Sequence, residues 1–144
     1  MLELIKACYE IRALRGRLGL GLPLAAADEA ALTVLERLFG PPGGVGVARR
    51  LETRVPVFFK SVFGRMVEGK LTDLSADGAF VETDVPLGPG DATTIRIRDE
   101  RTLREYHFSA ICVRGGRRGM GLRLVGIPVE CRYLPIPAEL REAA

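Results

Sequence analysis

Hydrophobic positions along the chain change period near residue 45. Before it, Leu4, Ile5, Cys8, Ile11 and Leu14 recur at three- and four-residue spacing, which lines one face of a helix. Gly16, Gly19, Gly21 and Pro23 break that pattern. A second helix is expected from about Asp28, read as its N-cap, with Leu32, Leu35, Leu38 and Phe39 on one side. Gly40 followed by Pro41 and Pro42 stops it, and Gly40–Gly46 is read as a linker.

From Arg49 the period falls to two. Val55, Val57 and Phe59 alternate with Pro56, Phe58 and Lys60, and Gly64 marks a turn. Further strands are expected over 67–72, 79–83, 93–98, 106–114 and 119–125, punctuated by glycine- and proline-rich turns. Ile95 and Ile97 alternating with Thr94, Arg96 and Arg98 predict a half-buried strand. Six short strands at this spacing predict a mainly β fold. It is a six-stranded antiparallel barrel over 46–126, preceded by a helical extension (1–45) and followed by a tail (127–144) with a short helix near its end.

A chain of 144 residues with 47% hydrophobic content has enough material for one well-packed domain. Its 21 basic and 18 acidic residues leave a net charge of +3, and only Lys6, Lys60 and Lys70 are lysines. The basic complement is therefore almost all arginine, the residue of bidentate contacts to phosphates and guanine edges. The charge excess falls on 46–126, which carries 14 basic and 10 acidic groups.

Composition narrows the function classes. No stretch approaches the roughly 20 apolar residues of a spanning helix, so no membrane insertion is expected. Glu3, Lys6, Glu10 and Arg12 do not suit a secretory leader, so the expected location is cytoplasmic. Cys8, Cys112 and Cys131 are odd in number and widely spaced, which suits a reducing compartment and no zinc or disulfide framework. With a single histidine, His107, read as structural, no metal and no catalytic residues are expected. An enzyme is the least expected class.

Two motifs carry the candidate chemistry. Arg49-Arg50-Leu51-Glu52-Thr53-Arg54 holds an RxxxR element at Arg50 and Arg54; Asp73-Leu74-Ser75-Ala76-Asp77-Gly78 holds a DxSxxG element. Taken alone, the first reads as solvated surface charge and the second as a side-chain-stabilised turn. Together, with Val55-Pro56-Val57 and the glycine-punctuated Gly119-Met120-Gly121-Leu122, they resemble the signature of PilZ domains over residues 48–126. The resemblance implies a bacterial six-stranded barrel that binds the second messenger cyclic di-GMP, with motility or biofilm regulation as its setting. It also implies ligand contacts at Arg49, Arg50, Arg54, Asp73, Ser75 and Gly78.

Those residue types suit that ligand. Arginine can grip guanine O6 and N7 with paired donors, hold a phosphate, or stack on a purine. Asp73 can accept from the opposite guanine edge, and Ser75 can donate to a phosphate oxygen or cap the loop. Gly78 is expected to permit a positive φ or a close approach of backbone to ligand. The arginines are expected on a flexible lead-in before the barrel that orders over the ligand. In the family, an arginine at the position of Arg49 is associated with a stacked pair of ligands, so two per protomer are expected.

The expected function is thus a receptor that passes second-messenger level to an unidentified protein partner, by changing the posture of the N-terminal segment. The alternatives are a PilZ-like interaction module that binds no nucleotide, and a small basic barrel for nucleic acid. Low net charge, few aromatics and no tryptophan count against the latter. The Leu32–Leu35–Phe39 face is expected either to pack on the barrel or to form an oligomerisation or partner surface, with a homodimer as one outcome.

Overall fold

The computed structural model describes residues 2–40 and 49–133, the side chains of residue 2 and of residues 49–53 excepted. The expected linker after Gly40 and the expected C-terminal helical turn lie outside them. Helix α1 spans Leu2–Gly19 and α2 spans Ala26–Phe39. The strands are β1 (Arg49–Lys60), β2 (Met66–Leu74), β3 (Gly78–Glu82), β4 (Ala92–Asp99), β5 (Arg104–Gly115) and β6 (Gly119–Arg132). All pairings are antiparallel, and the order β1-β2-β3-β6-β5-β4 closes the sheet into a barrel.

The alternation read in the sequence selects the inner face. Val57, Phe59, Leu71, Val81, Ile95, Ile97 and Met120 are fully buried inside the ring. The β1–β4 seam is thin, with Phe58 opposite Arg96 as its register pair. Strand β6 runs on to Arg132, past the expected end at residue 125. It does so through an irregularity between its pairings at Val125 and Val129. Gly126 there adopts φ +68°, and Pro128 sits where a missing amide donor costs the ladder nothing.

The helices depart from expectation in three places. Gly16 does not end α1. A Cβ there would overlap the side chain of Ile127 on β6, so this glycine is a notch for close helix–sheet approach. Helix α2 begins two residues before Asp28, with Ala25 as N-cap; Asp28 instead lies in the first turn, where a carboxylate favours the positive end of the helix, 3.4 Å from Arg17. Leu32, Leu35 and Phe39 are buried within the single chain, so that face packs intramolecularly. One continuous hydrophobic cluster joins both helices to the barrel. No helix of the described residues is long and apolar enough to cross a membrane.

Candidate ligand-binding site

The DxSxxG segment forms the connection from β2 to β3. The Ser75 N–H and Oγ both donate to the Gly78 carbonyl, at 2.8 and 3.3 Å, which closes a tight turn. Gly78 does not have a positive φ, which removes one of its two expected roles. A Cβ there would sit 3.2 Å from the Leu122 carbonyl oxygen, so the close approach it permits is to β6. Asp73 owes its position to an irregularity between Leu71 and Asp73 in the β2–β3 register. Leu71 and Leu74 both face the core, and the extra residue between them turns Asp73 outward. Its Oδ2 accepts from the Thr72 hydroxyl at 3.1 Å.

Around Asp73 the register builds a row across five strands. Arg50 on β1 is opposite Asp73, Asp73 is opposite Phe80 on β3, Phe80 is opposite Gly121 on β6, and Gly121 is opposite Arg114 on β5. The Arg114 side chain lies over Gly121, where a Cβ would come within 2.9 Å of its Nε. A cavity of about 440 Å³ opens along this row, lined by Asp73, Ser75, Gly78, Phe80 and Arg114 among others. That volume falls within the roughly 300–1,000 Å³ of small-molecule sites. The combination offers a carboxylate acceptor, a guanidinium and an aromatic face, which together suit a purine nucleotide carrying phosphate.

The arginine motif is divided. Arg49 and Arg50 are not on a loose lead-in: their backbone belongs to β1, opposite Leu74 and Asp73, because β1 continues pairing with β2 beyond the irregularity between Arg50 and Val55. Arg54 is exposed and reaches Glu82 on β3, with its Nη1 3.3 Å from Glu82 Oε2. It lines a second cavity of about 500 Å³ with Lys70, Glu82, Arg117 and Arg118. Glu82 lies two residues from Phe80 on β3, so the two cavities are about 7 Å apart along the strand. A surface ion pair of this kind contributes at most about 1 kcal/mol, so Arg54 is readily released from it.

Two features of the site escaped the sequence. Arg114 belongs to no motif and reaches the cavity only through strand register. The second is Arg12 of α1. Its guanidinium donates to the carbonyls of Ala76 at 3.0 Å and Gly126 at 2.7 Å, and lies 3.6 Å from Asp77. The Cys8 thiol on the same helix donates to the Ser75 carbonyl at 3.4 Å, and burial pushes that thiol up to about 12. The N-terminal helix therefore grips the motif loop itself.

The family profile of the PilZ domain matches residues 48–142. The chain belongs to this family of regulatory receptor and adaptor domains. Among solved structures it is similar to the crystal structure of the PilZ domain of CeSA from a cellulose-synthesizing bacterium. That likeness is at 27% identity with a TM-score of 0.43, over 54% of this chain and 81% of that one. No curated protein is similar to the chain at a significant level.

Proposed function

We propose that this protein is a cyclic di-GMP receptor whose ligand lies along the Arg50–Asp73–Phe80–Gly121–Arg114 row, and whose N-terminal helix transmits the binding event to a protein partner. Asp73 accepts from the Watson–Crick edge of one guanine, and Arg50 and Arg54 hold guanine and phosphate. Ser75 and Gly78 keep the turn against the ligand. Arg54 swings from Glu82 into the site, and the irregular stretch between Arg50 and Val55 closes over the nucleotide. Arg49 serves a second, stacked nucleotide.

The observation that carries the reading is the position of the DxSxxG turn: it lines the cavity on one side and is bonded to Arg12 and Cys8 of α1 on the other. A ligand that shifts the turn must alter those bonds, which supplies the differential contact that a switch requires.

Isothermal titration tests it. The wild-type chain should bind cyclic di-GMP at two ligands per protomer, and Arg50→Ala or Arg54→Ala should abolish binding while the fold persists. Undiminished binding after both changes would overturn the assignment of the arginines. No binding by the wild type would leave the nucleotide-independent interaction module. A stoichiometry of one would remove the role given to Arg49.

A further inference from the structure

At the far end of β5 and β6, strand register brings a cysteine of β6 to a Glu-x-His pair of β5. Glu105 on β5 is directly opposite Cys131 on β6, and His107 follows Glu105 on the same outer face. The carboxylate, imidazole and thiol donor atoms all lie within 4.8 Å of one another. Both partners converge on one ring nitrogen: His107 Nε2 is 2.5 Å from Glu105 Oε1 and 3.6 Å from Cys131 Sγ. A carboxylate orienting a catalytic histidine would ordinarily engage the other nitrogen. An oxygen, a nitrogen and a sulfur donor gathered within 4.8 Å are instead a set that one metal ion can bridge.

We propose that Glu105, His107 and Cys131 form a divalent transition-metal site, with zinc the ion best suited to this donor set. Zinc–sulfur and zinc–nitrogen bonds of about 2.3 and 2.05 Å, set at a tetrahedral angle, separate S from N by about 3.6 Å. The sulfur–nitrogen spacing already has that value. The carboxylate oxygen is nearer to the nitrogen than the roughly 3.3 Å expected across zinc, and must retreat by about 0.8 Å as the ion replaces the shared proton. Binding displaces two protons: the thiol loses its proton to solvent, and the Nε2 proton passes to Nδ1 as the neutral imidazole changes tautomer. Carboxylate and thiolate together balance the dication.

The surroundings hold the carboxylate in place. Arg98 on β4, opposite Glu105, donates from Nε to the second oxygen, Oε2, at 2.7 Å and leaves Oε1 for the ion. Its guanidinium is itself fixed over the rings of Phe58 and Tyr133, 4.7 and 5.2 Å from their centroids. An outer-shell partner that orients a ligating side chain is a regular part of metal sites. Glu105 is buried while His107 and Cys131 are partly exposed, so an ion can enter and keep a water as fourth ligand. Nine residue steps along β5 separate Glu105 from Arg114, about 30 Å, so the site is independent of the nucleotide row.

The test uses the full chain without an affinity tag. Zinc chloride, titrated against a chromophoric chelator, should bind at one equivalent. Cobalt(II) should give a thiolate-to-metal charge-transfer band. Cys131→Ser and His107→Ala should each weaken zinc by at least a hundredfold, with the cobalt band lost in Cys131→Ser. Arg98→Gln should weaken it by about tenfold to a hundredfold. Zinc should also protect Cys131 of the wild-type chain from alkylation, a readout that needs no variant. Failure of the wild type to compete with the chelator, variants that bind as tightly as wild type, or unprotected Cys131 would each overturn the proposal.

Discussion

Single residues here are set by what lies within one side chain's reach. Gly119 and Gly121 show the contrast. At Gly119 (φ +152°) a Cβ would press on the backbone of Val81 and Glu82, whereas at Gly121 it would meet only the Arg114 side chain. Gly119→Ala should therefore lower stability by about 1–3 kcal/mol in chemical denaturation. Gly121→Ala should leave the melting temperature close to wild type but displace Arg114 and weaken cyclic di-GMP in titration. Glu82→Gln frees Arg54 from its surface partner and should tighten the ligand by up to about fivefold, the equivalent of about 1 kcal/mol. Among the thiols, Cys8 is fully buried and burial pushes it up to about 12. Cys112 is raised for the same reason. Native alkylation of the zinc-free chain by iodoacetamide, followed by mass spectrometry, should modify Cys131 and spare the other two until the chain unfolds.

Among the elements, α1 stands out because its buried stripe and its polar grip act together. Ile5, Cys8 and Ile11 enter the shared core, Tyr9 stacks obliquely on Tyr106, and Gly16 admits Ile127. Arg12 adds hydrogen bonds to two carbonyls, one on the motif turn and one on β6. A charged donor lost from such carbonyls costs about 1.5–3 kcal/mol. Arg12→Ala should lower stability by that amount in urea melts and speed amide exchange along α1. If the motif turn and α1 are coupled, cyclic di-GMP should also change α1 exchange in the wild type, and an unchanged α1 would sink the coupling. The helix was legible in the sequence because its apolar spacing is a local property. Its seat on the Ser75–Asp77 turn was not, because that contact joins residues more than sixty positions apart.

At the scale of the whole molecule, the closed ring places two unrelated clusters on the same pair of strands. The ends of β5 and β6 nearest their connecting turn carry Arg114 and Gly121; the opposite ends carry Glu105, His107 and Cys131. Neither the Arg114–Gly121 pairing nor the Glu105–His107–Cys131 cluster is visible as a motif. Loading one site should leave the other's affinity within about twofold if they are independent, as titration of cyclic di-GMP with and without zinc chloride would measure.

Chain order alone determined the two helical stripes, the six alternating strands and both halves of the motif pair, because periodicity and turn chemistry act over a few residues. Even there, Asp28 is not the cap and Gly16 does not end its helix, since capping and breaking depend on which partner arrives. Only the tertiary structure decided that an extra residue at Thr72 turns Asp73 outward, that Arg114 faces it across the sheet, and that Cys131 meets Glu105. Those outcomes depend on register between strands far apart in the chain, and a register is fixed by how the whole ring buries its inner face.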